Sequence, residues 1–568
     1  MKQNYCDVLV IGGGAAGFSA AVTAAWHGQK VILIEKSHLF GGATCWSGGW
    51  MWVPRNSLAR AAGIIEDIEQ PRLFLQNELK DKFDPKRVDM FLKSAPAMVD
   101  FFANNTLLQF EDGNKIADIH GHTAGAKDGG RSVIAAPYHG RKMGKLVKKM
   151  LPPKWETGFL GMPIMAGKDL WSFLKATRSI SAAFYVAKRL GLHALDWLIY
   201  GRTMQFVNGS ALIARLAKSA EDLGVTIRVS TPAKQLIEEN GKVVGAIVST
   251  ELGEETIHVS KGVILAAGGF SYDIKRRAAM FPHMKDPLAH WPLPPTTNTG
   301  DGLNMAEQVG AEVATDLASP VAWCPVSLVP YKDGTVGHFP HIIDRGKPGV
   351  IAVMHNGKRF VNEADGYYDY TAAMDSKTPA NQEVFSWLIC SHECQRRYGF
   401  GMTRPFPFST KPWLESGYLK KADTIEGLAR LCDIDPKVLR QTIDEFNLHA
   451  KEGKDPEYGR GGTAYNRKMG DPDHQPNPSL APLDKGPFYA IKVLPGSFGT
   501  FAGLKTDEHA RVLNKIGQPI EGLYAVGTDM ASIMGGYYPT GGINLGPAMT
   551  FGYVAACHIA NKTPYTNE

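Results

Sequence analysis

The sequence predicts an α/β fold: a parallel sheet begun at the N-terminus and interrupted by an inserted α+β domain. Three observations predict it. A strand, a glycine-rich turn, a helix and a second strand follow one another from Cys6 to Lys36. Two further apolar strands, far apart in the chain, end in glycine at Gly268 and Gly527. Between them lies a stretch richer in Pro, Trp and Tyr, opening with "HWPLPPTTNTGDG".

The first element is "CDVLVIGGGAAGFSAAVTAAWHGQKVILIEK". The apolar run Val8 to Ile11 precedes Gly12-x-Gly14-x-x-Gly17. Gly12 permits the tight turn, Gly14 lets a pyrophosphate approach the backbone, and Gly17 lets helix and strand pack closely. The helix start at Ala15 and Ala16 offers its N–H groups to phosphate. The second strand ends at Glu35 and Lys36, 18 residues beyond Gly17, where an acid accepts ribose hydroxyls. Together these predict a Rossmann-like dinucleotide domain.

The later strands decide which dinucleotide. "KGVILAAGGFSYD" runs into Ala267 and Gly268, and "GLYAVGTDMAS" ends in Gly527 and Asp529. Flavoproteins of the glutathione-reductase type close their nucleotide domain with such pieces, so FAD is expected rather than NAD. "GGATCWSGGWMWVP" adds a second small-residue loop, with Gly42, Ala43, Thr44, Ser47, Gly48 and Gly49 expected beside pyrophosphate and flavin. No attachment histidine stands out, so non-covalent FAD is expected.

A chain of 568 residues exceeds one ordinary core. The expected division is 1–285 and 485–568 for the FAD domain and 286–484 for the substrate cap. Hydrophobic residues at 44% and charged residues at 21% are in the globular range. Seven scattered cysteines suggest a reducing compartment. Cys390 and Cys394 have no second ligand pair nearby, so no metal is expected. No signal peptide and no membrane-spanning run of about 18 apolar residues is read. A cytoplasmic protein is expected, or one peripheral on the inner face of the cell membrane. Net charge is +6, yet residues 141–202 hold twelve Lys and Arg against three acids. Within 141–207, "SFLKATRSISAAFYVAKRLGLHALDWLIYGRTMQFV" mixes this charge with aromatics. Two readings stand: a surface that meets anionic lipid, or a helical pair covering the core behind a solvated basic face. Nucleic acid is not an expected partner, because no reader motif accompanies the charge.

The chain resembles the fumarate-reductase and succinate-dehydrogenase flavoprotein superfamily, and within it the 3-ketosteroid Δ1-dehydrogenases. "GGATCWSGGWMWVPRN", "GKRFVNEADGYYDY" and "YYPTGGINLGPAMTFGYVAA" carry the resemblance. It implies an FAD-dependent dehydrogenase that places a double bond α,β to a ring ketone, in steroid breakdown. It implies that Tyr538 and Gly542, within Tyr-Pro-x-x-Gly, hold the ketone oxygen. A phenol O–H and a backbone N–H also make an oxyanion hole on general grounds. Asn544, Leu545 and Gly546 open a helix whose N-terminus suits negative charge on flavin. The resemblance implies a tyrosine base after the Asn-Glu pair, with hydride passing to flavin N5. Tyr367 fits that place and Tyr368 is the runner-up. The steroid enzymes carry a further upstream tyrosine, and "DIHGHTAGAKDGGRS" has none. His120 and His122 are the nearest titratable groups there, as a proton relay or as loop residues. A smaller cyclic ketone, a fumarate-like enoate reductase, and a flavin-bearing electron-transfer subunit are the alternatives. The partners expected are a hydrophobic ring ketone and an unidentified electron acceptor, with quinone the candidate.

Overall fold

The computed structural model describes residues 2–281 and 288–565. Its first sheet has eight strands. Five of them form a parallel core in the order Thr226–Arg228, Val31–Ile34, Lys2–Ile11, Gly253–Leu265, Pro519–Ala525. Val8, Leu9 and Val10 are wholly buried, as strands covered on both faces must be. The two late strands that end in glycine are members of this core, so the sequence signals separated by more than 250 residues meet at adjacent positions.

Gly12 and Gly17 explain the close packing at its centre. Gly12 has φ +120°, and a Cβ there would lie 2.1 Å from the Ala266 carbonyl oxygen. A Cβ on Gly17 would lie 2.0 Å from the Gly12 oxygen. The helix Ala15–Trp26 crosses the C-terminal helix Leu545–Ile559 at similarly short range. Ser19 Oγ donates to the Met549 oxygen at 2.6 Å, and a Cβ on Gly552 would meet the Ala16 oxygen at 2.6 Å.

The second sheet has the main path Val336–Pro340, Val321–Pro330, Phe488–Thr500, Ser386–Cys390, Val350–Val353. Its central strand, Phe488–Thr500, falls after the expected boundary at 484 yet bonds into the cap sheet on both sides. The chain re-enters the nucleotide domain only beyond Thr500. "FYAIKVLPGSFGT" is apolar throughout, and such a run carries no mark of which sheet it joins. The expected boundary between 285 and 286 lies outside the described residues. The cap's outer layer holds helices Ile425–Leu431 and Pro436–Ala450.

The basic segment contains helices Lys168–Lys175 and Ile180–Tyr200. They pack against one another and cover part of the interior. The outward face of the longer helix is apolar, however, where a solvated basic face was the alternative expected.

Candidate active site

The carboxyl ends of the parallel strands open onto one cavity of about 2080 Å³ between the two sheets. This is where open α/β sheets bind ligands. Its volume is roughly twice the upper end of ~300–1,000 Å³ for ordinary ligand pockets, which is room for a dinucleotide and a second molecule.

At the nucleotide end, Gly12, Gly14, Ala15 and Ala16 border the cavity. Gly17 does not; its missing side chain serves the helix–strand contact. Glu35 borders it while accepting from the Gly13 and Ser37 N–H groups, each at 2.9 Å. Burial raises its pKa, and those two N–H groups oppose the rise. Lys36 borders it and is held by Thr299 Oγ1 at 2.6 Å and Asp301 at 2.7 Å. From the second loop Gly42, Ala43, Thr44, Ser47, Gly48 and Gly49 all border the cavity. Thr44 Oγ1 also accepts from the Ala15 N–H at 3.2 Å, which ties this loop to the helix start.

Ala267, Gly268 and Gly527 continue the wall. Asp529 does not reach it. Its buried carboxylate accepts from the Ala267 and Gly269 N–H groups at 2.6 and 2.9 Å, so it braces the turn that faces the ligand. Burial lifts its pKa to about 6. Asn544 and Leu545 border the cavity at the start of the C-terminal helix, and Asn544 offers no side-chain cap to that helix. The Gly546 N–H is taken by the Gly542 carbonyl at 2.9 Å and Pro547 has none, so the Leu545 N–H is the one this helix start offers toward the cavity.

Two glycines show that the space is shaped for a bound group. A Cβ on Gly14 would meet nothing nearer than Thr44 Oγ1 at 3.8 Å, and one on Gly541 would meet nothing within 4 Å. Neither has a positive φ. No protein atom and no strained conformation requires glycine there; a ligand lying on the backbone does.

Deeper in, Tyr367 and Tyr538 face each other. Tyr367 Oη donates to Tyr538 Oη at 2.6 Å, with ring centroids 4.9 Å apart. Both border the cavity, and Gly542 lies beside them on the wall. The Gly542 N–H donates to no backbone carbonyl among the described residues. Gly542 has φ +91°, and a Cβ on it would strike Trp52 N at 2.6 Å, so packing requires glycine as well. Burial pushes the Tyr367 phenol well above its ordinary pKa, and the nearby Tyr538 adds to this; burial likewise raises Tyr538. Tyr368 points elsewhere. Its hydroxyl donates to the Gly536 oxygen at 2.9 Å, and it does not border the cavity. Burial holds its pKa at about 12.

His120 is neither on the wall nor bonded to either phenol. Nδ1 bonds Glu78 at 2.6 Å and Nε2 bonds Asp369 at 3.1 Å. Burial opposes its charge, but the two carboxylates outweigh burial and raise it to about 10. It is an imidazolium that ties Glu78 to the first turn of helix Tyr367–Lys377, a place that suits no relay to Tyr367.

Tyr465 was not anticipated. It borders the cavity, interacts electrostatically with Tyr367 and Tyr538, and makes no side-chain hydrogen bond to another described residue. Asn466 beside it bonds Asn362 at 2.9 Å and Asp365 at 2.6 Å, which draws it to the loop carrying Tyr367. Nothing in "GTAYNRKMG" marks it as a site residue. Lys347 and Arg404 were likewise missed as wall residues. Lys347 is buried, donates among the described residues to the Met469 and Gly470 carbonyls, and its pKa is lowered by burial to about 8. Arg404 donates to the Gly158 carbonyl, and burial lowers it too. Neither has a carboxylate partner among the described residues.

A glycine-cradled nucleotide site and a phenol-lined pocket on one cavity suit an FAD-dependent oxidoreductase. The chain belongs to the FAD binding domain family, which it matches over residues 7–545. It is 38% identical to the 4-oxocyclohex-2-ene-1-carboxylate 5-dehydrogenase of Sinomonas cyclohexanicum, over 99% of this chain and 95% of that one. It is 33% identical to a 3-oxosteroid 1-dehydrogenase of Mycolicibacterium smegmatis, over 98% and 97%. The crystal structure of 3-ketosteroid delta1-dehydrogenase from Sterolibacterium denitrificans, in complex with 1,4-androstadiene-3,17-dione, superposes with TM-score 0.90 at 33% identity, covering 98% of this chain and all of that one. The protein is thus a flavoenzyme of the dehydrogenase kind.

Proposed function

We propose that the chain removes hydrogen from adjacent carbons α and β to a ring ketone, with Δ1-dehydrogenation of a 3-ketosteroid as the concrete reaction. The phenol pair supports this most directly. Because Tyr367 donates to Tyr538, the proton of Tyr538 is left free for a ketone oxygen. A donor chain of this kind polarises each member further. Tyr538 Oη and the Gly542 N–H hold the oxygen and stabilise the enolate that forms as the α proton leaves. Bound FAD supplies the acceptor for the hydride that leaves the β carbon. Tyr367 takes the α proton. At rest it is protonated, so it first releases its own proton to water at the cavity it borders. Gly12–Ala16, the 42–49 loop and the 544–545 helix start would hold FAD without a covalent link.

Cavity size and the apolar wall of Phe159, Phe173, Phe406 and Phe408 favour a steroid. A second reading is favoured by Lys347 and Arg404. A buried cation such as Lys347, and to a lesser degree the partly exposed Arg404, is costly without a carboxylate partner, and a carboxylate on a smaller ring ketone would offset that cost. The similarity to the oxocyclohexene-carboxylate enzyme points the same way.

The deciding measurement is anaerobic flavin absorbance. Androst-4-ene-3,17-dione and 4-oxocyclohex-2-ene-1-carboxylate are added separately to oxidised enzyme, and fumarate to dithionite-reduced enzyme. Bleaching by the steroid is expected. Bleaching by the keto acid alone would assign the smaller substrate. Reoxidation by fumarate, without bleaching by either ketone, would make the enzyme a reductase and remove Tyr367 from the role of base.

A further inference from the structure

The helix Ile180–Tyr200 is built inside out. A helix on a soluble protein turns its apolar stripe inward and its polar face to water. Here the polar side chains are inside. Asp169, buried beneath the helix, accepts from Tyr185 Oη at 3.0 Å and pairs with Arg189 at 2.9 Å. His193 Nε2 bonds the Leu160 carbonyl at 2.9 Å. Asp196 takes the Met204 N–H at 3.0 Å and Arg141 at 3.1 Å. The opposite face carries Ile180, Phe184, Ala187, Gly191, Leu195 and Leu198, at three- and four-residue spacing. Ile180 is 79% exposed, Phe184 74% and Leu198 83%.

Within residues 141–202 the exposed charge is of one sign. All three acids of residues 141–202 are buried: Glu156, Asp169 and Asp196. Arg141, Lys142, Lys145, Lys148, Lys149 and Lys188 are exposed. A second copy of the chain would bring two such cationic fields together, which like-charge juxtaposition disfavours. No helix is long and apolar enough, among the described residues, to cross a membrane.

We propose that this helix and its basic surround dock on the surface of an anionic lipid bilayer. The apolar stripe enters the acyl boundary and the lysines meet the headgroup charge. The other side of the same helix lines the cavity through Val186 and Leu190. Phe408, half exposed and edge-on to Phe159 at 5.5 Å, marks the adjoining rim. A lipophilic substrate would then pass from the bilayer into the cavity with little exposure to water. The docking itself depends on no particular substrate.

The test is flotation of the FAD-loaded enzyme with phosphatidylcholine vesicles, with and without phosphatidylglycerol. Binding to the anionic vesicles is expected. It should fall at least tenfold as salt rises from about 0.1 M to about 1 M, where the screening length drops from roughly 10 to 3 Å. A Phe184→Glu/Leu198→Glu variant should lose at least tenfold in binding, with flavin absorbance and melting temperature unchanged. A Lys145→Glu/Lys148→Glu variant should do the same and covers the case in which the first fails to fold. Brominated lipid should quench Trp197, which lies half exposed on this helix. No binding to anionic vesicles, or binding undiminished in both folded variants, overturns the proposal. Self-association without lipid that the Phe184→Glu/Leu198→Glu variant abolishes would overturn it too, and assign the face to a second copy.

Discussion

Tyr367 and Tyr538 are 171 residues apart in the chain and 2.6 Å apart at their hydroxyls. Tyr538 and Gly542 were singled out by the family resemblance of the Tyr-Pro-x-x-Gly turn, and both border the cavity. Tyr367 was legible only as one of an adjacent pair. The structure separates the two by direction: one helix step turns Tyr368 away to the Gly536 carbonyl. Tyr465 was not legible at all, since its place depends on side-chain bonds between Asn466, Asn362 and Asp365 that no local pattern encodes. The raised phenol pKa of Tyr367 gives a pH prediction. A base that is protonated at rest is more available as pH rises. Substrate-driven flavin reduction should therefore quicken from neutral to alkaline pH in rapid-mixing experiments. Tyr367→Phe should nearly abolish it and remove the pH dependence. Tyr538→Phe should slow it by about 10²–10³-fold, the usual loss for one oxyanion donor, with FAD retained. A Tyr538→Phe enzyme that loses FAD instead would mean the phenol is structural.

At the scale of elements, the glycine-rich strand–turn–helix was the most legible part. Gly12 and Gly17 answer to short backbone contacts that only glycine allows. The helix Tyr367–Lys377 was less so, because what fixes it comes from elsewhere. Glu363, just before it, is buried among Arg359 and Arg460 at 2.8 and 3.1 Å. Arg345 holds the Glu363 and Asp365 carbonyls at 2.8 and 3.1 Å. His120 then grips Asp369 in the first turn. Since the folded state raises the pKa of His120 to about 10 from an ordinary value near 6.5, its charge stabilises the fold fully below about pH 6.5. That contribution fades as pH rises through about 10. Wild-type melting temperature should accordingly fall between those values, and His120→Gln should show a flatter profile. The substitution should cost about 2 kcal/mol at neutral pH, as for hydrogen bonds to a charged group. Equal slopes in the two proteins would mean that His120 is not the titrating group.

On the scale of the whole molecule, the inserted cap was legible from its change of composition, and its central strand was not. Phe488–Thr500 belongs to the cap sheet, then runs directly into the nucleotide domain, and its residues Phe498 and Gly499 border the shared cavity. The two sheets therefore share a space of about 2080 Å³ beside the packed contact that Val321, Ala322 and Trp323 of the cap make with the nucleotide domain's core. FAD bound between Gly12–Ala16 and the 544–545 helix start would fill much of that space, and would add contacts the protein alone lacks. A ligand that binds only the folded state stabilises it by about 4 kcal/mol at a thousandfold excess over its dissociation constant. Removing FAD should thus lower the melting temperature by several degrees. Because the missing contacts lie between domains, the apo-protein should also unfold less cooperatively, with the cap and nucleotide parts separating in differential scanning calorimetry. Adding FAD back should restore one sharp transition. An apo-protein that still melts in a single transition would show that the strand crossing from cap to nucleotide domain couples them without the cofactor.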